Sequence, residues 1–344
     1  MNPSPFIKLS HGSGGKLTHD LVSKIFIKSF SNKILSDLED SAIFEIMGQH
    51  PFSTVPKLAY TTDSYVVNPI FFHGGDIGKL AVCGTVNDLS SVGAKPLFLT
   101  ASFIIEEGLT IDELSIIVNS MKKAGRESGI NIIAGDTKVV EKGKADKIFI
   151  NTSGIGIIER NINISCKNAK HGDSVLISGT IADHGIAVLS EREGIKFRTN
   201  IKSDVAPLNS LVNKLLKTSK KIHVMRDPTR GGLATTLNEI ATASKVSMEI
   251  HEEKIPINEE VKASCEMLGF DPLYIANEGK MIVICDSTDA GKILQTMKKN
   301  KYGKNAAIIG KVVKTKKPAV FLKTSIGGTR IIDMLTGEQL PRIC

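Results

Sequence analysis

Three aspartates in the first half of the chain interrupt or follow apolar segments, and together they suggest a cation site. Asp63 lies inside a strand-like run, although aspartate is depleted in strands. Asp88 interrupts a helical pattern of small and apolar residues, and Asp136 follows a short apolar strand. Carboxylates that converge from the ends of elements suit Mg²⁺, which is usually shared with substrate phosphates. Taken singly, each aspartate also fits an ordinary helix cap or turn.

Two glycine-rich stretches could hold an anion. In residues 11–16, Gly12, Gly14 and Gly15 allow backbone N–H groups to converge on a negative charge, although a flexible leader is an equal alternative. Residues 226–233, RDPTRGGL, open a predicted helix. Its free N–H groups and positive dipole end could bind a phosphate. An ordinary capped helix explains that stretch equally well.

The second half of the chain adds a carboxylate and a thiol. Glu278 lies at a glycine turn before a predicted strand, where a raised proton affinity would make it a base. An exposed turn glutamate is the alternative. Cys344 ends the run Pro341-Arg342-Ile343-Cys344. Because such a tail frays readily, its thiol could enter a pocket, leave it and reach a second protein. An incidental terminal cysteine is the alternative.

Two α/β units are predicted to position these residues. The first contains strands at 58–67, 96–105, 130–134 and 147–158, a helix at 75–93 and a second helix that opens with the capping box Thr110–Glu113. The second contains strands at 173–179, 246–250, 280–285 and 306–313 and helices at 182–192, 205–219, 230–243, 257–268 and 287–299. This order predicts an α/β (α+β) protein. The predicted division is a mobile glycine-rich segment 1–40, domains 41–160 and 161–332, and a flexible tail 333–344.

Composition argues against nucleic-acid binding, membrane association and secretion. The 344 residues carry a formal charge of +8, but no tryptophan and four tyrosines, so no stacking platform for nucleic acid is predicted. We find no run of 18 apolar residues and no secretory leader, so neither a membrane partner nor secretion is expected. The five cysteines are scattered, which favours a reducing cytoplasm.

Seven motifs occur in an order that resembles one family. They are HGSGG, TTDSYVV, VNDLSSVGAKP, GDTKVV, RDPTRGGL, ANEG and PRIC, between about residue 7 and residue 344. Together they resemble the HypE family of hydrogenase maturation factors. That family belongs to a wider ATP-binding group with aminoimidazole ribonucleotide synthetase, selenophosphate synthetase and thiamine monophosphate kinase. The resemblance implies a PurM-like two-domain fold, in which N-terminal sheets of a homodimer pair into a barrel and the C-terminal domain is an α/β sandwich.

The resemblance also implies an activity. A HypF-like carbamoyltransferase would place a carbamoyl group on Cys344, and ATP with Mg²⁺ would drive its dehydration to a thiocyanate. The nitrile would pass to iron on a HypC–HypD complex, for the centre of [NiFe] hydrogenase. By the same resemblance, the metal residues would be Asp63, Asp88, Asp136 and Asp227. The residues at ATP or its phosphates would be Gly12, Gly14 and Gly15, as a mobile lid, with Asn87, Thr229, Arg230 and Gly231. Glu278 would be the base, and Lys138 would polarise the carbamoyl oxygen.

Two other functions fit the same residues. An enzyme of this fold could act on a free small molecule, in which case the tail would be dispensable. A non-catalytic protein could instead present Cys344 to partners, and it would hydrolyse no ATP.

Overall fold

The structure, a computed structural model, describes residues 7–30, 32, 34–45, 57–159, 161–193, 201–337, 340 and 342–344. Sequence predictions for Pro341 and for the first six residues of the N-terminal segment lie outside this part of the chain. Within the described ranges, no helix combines the length and the apolar character that a membrane span requires.

Residues 16–30 of the N-terminal segment are helical, and the sequence analysis did not predict this helix. A 3₁₀ turn is followed by one continuous helix, made of α1 (Lys16–Leu21), a π-helical stretch (Val22–Ile27) and α2 (Lys28–Phe30). The glycine-rich loop before α1 is anchored to the far end of the chain, since the N–H of Lys16 donates to the carbonyl of Leu335 at 2.9 Å.

The first domain is a five-stranded sheet with helices on one face. Its elements are β1 (Ala42–Glu45), β2 (Lys57–Tyr65), the short strands β3 (Phe71–Phe72) and β4 (Gly75–Asp76), α3 (Ile77–Ser91), β5 (Lys95–Glu106), α4 (Ile111–Ser128), β6 (Asn131–Val140) and β7 (Ile148–Ile158). The strand order is β1-β2-β7-β5-β6, and among these described strands the β5–β6 pair is parallel while the others are antiparallel.

Local sequence explains how the two helices begin. The predicted capping box of α4 is confirmed: the hydroxyl of Thr110 accepts the N–H of Glu113, and the Glu113 carboxylate accepts the N–H of Thr110, both at 3.1 Å. Helix α3 starts at Asp76, whose carboxylate accepts the N–H of Gly78 at 2.8 Å. Nearly all of α3 is buried, because it packs on the sheet and also contacts the second domain.

Strand β6 differs from its prediction. The sequence indicated a strand ending at Ala134, with Asp136 just beyond it, but β6 pairs with β5 through Val140. The glycine does not end the strand, because it lets two backbones approach: a Cβ on Gly135 would lie 2.4 Å from the carbonyl oxygen of Ala101. Asp136 and Lys138 therefore lie in the middle of an exposed edge strand.

The second domain is a seven-stranded sheet covered by helices on both faces. Its elements are β8 (Ser174–Ile177), α5 (Asp183–Arg192), α6 (Asn209–Thr218), β9 (Ile222–Arg226), α7 (Gly232–Ser244), β10 (Ser247–His251), α8 (Glu259–Leu268), β11 (Ile282–Cys285), α9 (Ala290–Lys298), β12 (Ala307–Val313), β13 (Val320–Lys323) and β14 (Thr329–Ile332). The order is β14-β13-β10-β12-β8-β11-β9. Helix α7 packs on one face, while α6 and α9 pack on the other.

The sequence analysis missed β1, β3, β4, β9, β13 and β14, all of which are short. Two to five residues carry too few alternations to distinguish a strand from a loop. Strand β9 ends at Arg226, the first residue of the RDPTRGGL motif.

Candidate active site

The last three residues are docked against the first domain. The N–H of Val66, just after β2, donates to the carbonyl of Cys344 at 3.1 Å. Two residues further on, the N–H of Asn68 donates to the carbonyl of Arg342 at 3.2 Å. Ile343, between them, is 3% exposed and packs in the hydrophobic core of the first domain. The tail thus pairs with the segment that follows β2, and its cysteine is half-buried.

The docked cysteine lies in a pocket that several sequence motifs form together. This cavity of about 190 Å³ is lined by the glycine-rich loop, by the turn before α7 and by the tail. The lining residues are Leu9, Gly12, Ser13, Val66, Arg230, Gly231, Tyr274, Ala276, Leu335, Leu340, Arg342, Ile343 and Cys344. The loop and the turn are in direct contact, since the Arg230 guanidinium donates to the carbonyl of Gly12 at 2.9 Å.

The pocket changes the chemistry of the thiol. Burial raises the pKa of Cys344 to about 12, with further increases from the charges of Glu278 and Asp63, while Arg230 opposes them. A thiol with this pKa stays protonated near neutral pH, and the thiolate is the nucleophilic form of cysteine. The docked position is therefore poor for accepting a group but well protected for reacting one that is already attached.

Glu278 is held rigidly beside this pocket. Its neighbour Asn277, fully buried, accepts the N–H of Ala182 at 2.8 Å and donates to the carbonyl of Pro228 at 2.9 Å. On the other side, Gly279 is required by close packing, because a Cβ there would lie 1.8 Å from the carbonyl oxygen of Asp204. The backbone around Glu278 is thus fixed on both sides.

The Glu278 side chain is buried and incompletely paired. The residue is 3% exposed, and its Oε1 has no hydrogen-bond partner among the residues that the structure describes. Burial raises its pKa well above the usual value, and the charges of Asp227, Asp204 and Asp63 raise it further. This environment therefore increases the proton affinity of the Glu278 carboxylate.

Three of the four predicted metal residues come together. Asp63 of β2, Asp88 of α3 and Asp227 after β9 all have raised pKa values, each chiefly because of burial. The pKa of Asp227 rises to about 8, and the negative charge of Asp63 contributes to it. The charges of Asp227 and Asp63 in turn raise the pKa of Asp88. We name Asp63, Asp88 and Asp227 the carboxylate cluster.

The carboxylate cluster offers hard oxygen donors but does not form a metal site by itself. Its oxygens are hard donors, and their mutual repulsion, visible in the raised pKa values, is what a bound cation would relieve. In the described part of the chain, no group of three or more His, Cys, Asp or Glu side chains is placed so that it could hold a metal ion by itself. Magnesium in nucleotide sites commonly takes one or two carboxylates, with phosphates and water as its other ligands.

The turn before α7 supplies positive charge. Gly231 is the N-cap of the helix and has a φ of 78°, and it offers no side chain to cap the first N–H groups of α7. The pKa of Arg230 is raised, first by the charge of Cys344 and then by Asp63 and Glu278, against the effect of burial. Thr229 contributes its carbonyl, which accepts the N–H of Gly232 at 3.0 Å.

The remaining predicted residues lie outside the tail pocket. Asp136 and Lys138 pair with each other at 2.8 Å on exposed β6, and neither lines the tail pocket. Asn87 is buried with its amide bonded to backbone: it donates to the carbonyl of Ala206 at 3.1 Å and accepts the N–H of Leu208 at 2.8 Å. In this chain Asn87 joins α3 to the second domain.

The sequence reasoning missed several residues that shape the site. Asp40 lies 3.1 Å from the Arg226 guanidinium, and its charge raises the pKa of both Asp88 and Asp227. Asp204 accepts the N–H of Glu278 at 3.1 Å. His184 contacts the tail directly. These three residues lie outside the seven motifs, and their sequence surroundings are those of ordinary polar residues. No local signal could therefore have identified them.

With the fold and the site described, the chain can be assigned to a class of proteins. The family descriptions "AIR synthase related protein, N-terminal domain" and "AIR synthase related protein, C-terminal domain" match residues 38–158 and 170–323. The chain is therefore an AIR synthase related protein. It is 47% identical over 338 residues to the carbamoyl dehydratase HypE of Cupriavidus necator, covering 98% of this chain and 95% of that protein. It is 40% identical over 338 residues to that of Escherichia coli, covering 98% and 99%. It belongs to the HypE family.

Solved structures agree with this assignment. The fold matches the structure of a HypE–HypF complex with a TM-score of 0.85 and 52% identity, over 92% of this chain and 99% of that one. It matches a HypE in complex with ATP with a TM-score of 0.82 and 48% identity, over 97% and 98%. The predicted PurM-like two-domain fold is confirmed.

Proposed function

We propose that this protein is an ATP-dependent carbamoyl dehydratase that converts an S-carboxamide on its own Cys344 into a thiocyanate. The observation that carries the proposal is the docked tail, because it places Cys344 in the pocket formed by the glycine-rich loop and the turn before α7. Relatives similar over nearly their whole length are named carbamoyl dehydratases, and a similar HypE has been solved with ATP.

The reaction must turn a poor leaving group into a good one. The carboxamide oxygen attacks the γ-phosphorus of ATP, a new P–O bond forms, and ADP leaves. One N–H proton is lost in this step. The C–O bond then breaks, phosphate leaves with the electron pair, and loss of the second N–H proton completes the C≡N bond. Two protons must therefore be removed from one nitrogen, and the oxygen departs as phosphate.

The residues of the pocket are suited to these steps. Glu278 accepts an N–H proton, since its environment strengthens its hold on protons, and it returns that proton to water before the second is removed. Arg230 and the N-terminus of α7 stabilise negative charge on phosphate oxygens, with Thr229 and Gly231 shaping the turn. Gly12, Gly14 and Gly15 allow the loop to cover the phosphates.

The carboxylate cluster would hold Mg²⁺. When bound, the ion would supply positive charge that lowers the pKa of the surrounding carboxyls and shields the phosphate oxygens. We assign Asp63, Asp88 and Asp227 to this role. Asp136 and Lys138 keep their proposed roles at the metal and at the carbamoyl oxygen, but they would have to act from the edge of another subunit.

The exposed edge strand supports a homodimer. Along β6 the side chains of Ile132, Ile133 and Val139 are 40%, 61% and 69% exposed. On the open face of the same sheet, Phe98 and Ile104 are 42% and 44% exposed. An apolar face beside a sheet edge that no described strand covers favours association with a second copy. We propose a two-fold dimer through the first domain, in which each sheet completes a barrel with its partner.

Partners follow from the chemistry of Cys344. Because the raised pKa of Cys344 disfavours the thiolate in the docked position, we propose that the carbamoyl group is attached while the tail is outside the pocket. A HypF-like carbamoyltransferase is the proposed donor, and a similar HypE has been solved in complex with HypF. The product would pass to iron on a HypC–HypD complex. We place these steps in the cytoplasm, where the five unpaired cysteines would stay reduced.

Intact-mass analysis tests the reaction. The protein is incubated with a HypF-type enzyme, carbamoyl phosphate and MgATP, and its mass is followed. A gain of one carbamoyl group, then loss of one water from Cys344, is expected. The rival small-molecule synthetase would cleave ATP in response to a diffusible substrate and would show no mass change on its tail. A non-catalytic protein would show no ATP cleavage at all.

A further inference from the structure

The docked tail is recognised through the side chain of Arg342. Its Nε donates to the carbonyl of Val66 at 3.0 Å, and its guanidinium forms an ion pair with Asp146. The same group lies 5.9 Å from the ring centroid of Phe149, within the range of a cation–π contact. Three different partners thus surround one side chain, which is more than a random tail conformation would provide.

The main chain of the tail is held as well. The carbonyl of Arg342 accepts two donors, the N–H of Asn68 at 3.2 Å and the Arg192 guanidinium at 2.7 Å. Arg192 also donates to the carbonyl of Asn68 at 2.7 Å, so it bridges the tail and the segment beside it. These bonds fix the register of the tail relative to residues 66–68.

A further contact, one residue before the cysteine, comes from His184. It lies in α5, is fully buried, and its Nε2 is 2.8 Å from the carbonyl oxygen of Ile343. A carbonyl can only accept, so Nε2 carries the proton and donates. The other nitrogen, Nδ1, is 2.7 Å from the hydroxyl of Ser203, which therefore donates to it. The ring also packs edge-on against Phe72.

We propose that residues 66–68, Asp146, His184 and Arg192 form a peptide-recognition site for the sequence Arg-Ile-Cys at the C-terminus, and that His184 positions Cys344 for dehydration. The inference rests on the proposed function. The ligand is an extended C-terminal tripeptide, read by one arginine side chain and by its carbonyl groups. His184 touches no reacting atom in this arrangement, so it is a positioning residue.

This site separates the two halves of the reaction. Acceptance of the carbamoyl group takes place with the tail outside, where none of these contacts exists. Dehydration would take place with the tail inside, where Cys344 and Arg230 line the same pocket and the charge of Glu278 acts on the thiol. A displacement of about 1 Å at a reacting centre can reduce a rate about 100-fold, so the register set by His184 matters for the second step alone.

Two substitutions at the histidine isolate the contact. His184→Asn places an amide near the position of Nδ1, so it keeps the Ser203 contact but cannot reach Ile343. His184→Gln extends an amide towards the position of Nε2 and retains a donor for Ile343. The control is His251→Gln on β10, a partly exposed histidine whose ion pair is with Glu249. All are made in the full-length protein.

Alkylation of Cys344 measures docking without catalysis. The four other cysteines are buried, and the tail peptide is identified by mass. We expect iodoacetamide to label Cys344 about tenfold faster in His184→Asn than in the wild type, since a hydrogen bond that holds the tail is lost. His184→Gln should restore most of the protection, and His251→Gln should change nothing. Equal labelling rates in all four proteins would overturn the proposal.

An activity assay measures the two steps, carbamoyl acceptance and dehydration, separately. We expect His184→Asn to accept carbamoyl from the HypF-type enzyme at least as fast as the wild type, since its tail is more often outside, and to dehydrate about tenfold more slowly because of the lost hydrogen bond. If His184→Asn does not fold, Asp146→Asn, which alters a surface partner of Arg342, replaces it and should also increase labelling. If the wild type itself never loses water, the proposed function fails, but the labelling experiment still tests the docking site.

Discussion

Two groups of aspartates in the first domain have opposite environments. Burial raises the pKa of Asp63 and of Asp88, both in the carboxylate cluster, and the charge of Asp63 raises that of Asp88 further. Asp136, on the exposed strand β6, has a pKa lowered by the hydrogen bond from Lys138. The residue type is the same, but Asp63 and Asp88 lack enough nearby positive charge, whereas Asp136 already has Lys138 as its counter-ion.

This difference indicates what each group needs from outside the chain. The carboxylate cluster is incomplete by itself, because buried like charges are stabilised only when a cation or a proton joins them. The Asp136–Lys138 pair is complete electrostatically but lies on a sheet edge that no described strand covers, so it needs a second surface before it can act on a substrate. A nucleotide site in this protein would therefore be assembled from a preformed half and a half supplied by dimerisation.

The largest effect is expected at Glu278, the buried carboxylate beside the pocket. Glu278→Gln cannot accept a proton from the carboxamide nitrogen, so dehydration should fall about 10²- to 10⁴-fold. Carbamoylation should be unaffected, because it takes place with the tail outside. The measurement is the mass of the tail peptide with time, and Glu266→Gln on the exposed face of α8 is the matched control. If the Glu278→Gln variant dehydrates at the wild-type rate, Glu278 is not the base.

The carboxylate cluster should show the next largest effect. Asp88→Asn removes one hard anionic ligand and its charge, so we expect MgATP affinity to fall roughly 10- to 100-fold. Calorimetry with MgATP and with ATP in the presence of EDTA separates loss of the metal from loss of the nucleotide. Unchanged affinity in both titrations would show that the cluster does not bind the ion.

A smaller effect, dependent on assembly, is expected for the exposed pair. Asp136→Asn should weaken MgATP binding several-fold in the dimer, but not in a background where Ile133→Glu prevents dimerisation. The buried charge that Ile133→Glu would place in the interface makes association unfavourable, while Ile133 itself is 61% exposed in the single chain. Light scattering establishes the oligomeric state of each protein. An equal effect of Asp136→Asn in dimer and monomer would contradict the shared site.

The smallest effect concerns stability and pH. The folded-state pKa of Asp227, about 8, lies above its ordinary value of 3.8, so near neutral pH the folded protein binds a proton that the unfolded chain releases. The contribution that this bound proton makes to the free energy of unfolding is complete below about pH 4 and is lost as the pH rises through 8. Without Mg²⁺, Asp227→Asn should therefore raise Tm by a few degrees at pH 8, relative to its effect at pH 5. Thermal denaturation of both proteins at pH 5 and pH 8 measures this difference. An equal change in Tm at the two pH values would contradict the raised pKa of Asp227.

The local features of this chain were well predicted from its sequence. The capping box at Thr110 and Glu113 begins α4 as expected, because both partners of the two hydrogen bonds lie within one turn. The long elements were identified because their apolar residues repeat often enough to define a period. Short strands such as β9 were missed for the opposite reason. Strand β6 was given too short a length, since Gly135 reads as a breaker but serves close pairing with β5.

The sequence alone determined which chemical groups are available: several aspartates at the ends of elements, a turn with an arginine and two glycines, a glutamate between asparagine and glycine, and a terminal thiol. Only the tertiary structure decided which of them meet. Cys344 reaches Val66 in the first domain, Glu278 comes under the influence of Asp63, and Asp136 stays apart on its edge. Burial and charge–charge interactions depend on distance in space, not along the chain, so the raised pKa values of Glu278 and Cys344 exist only in the folded protein.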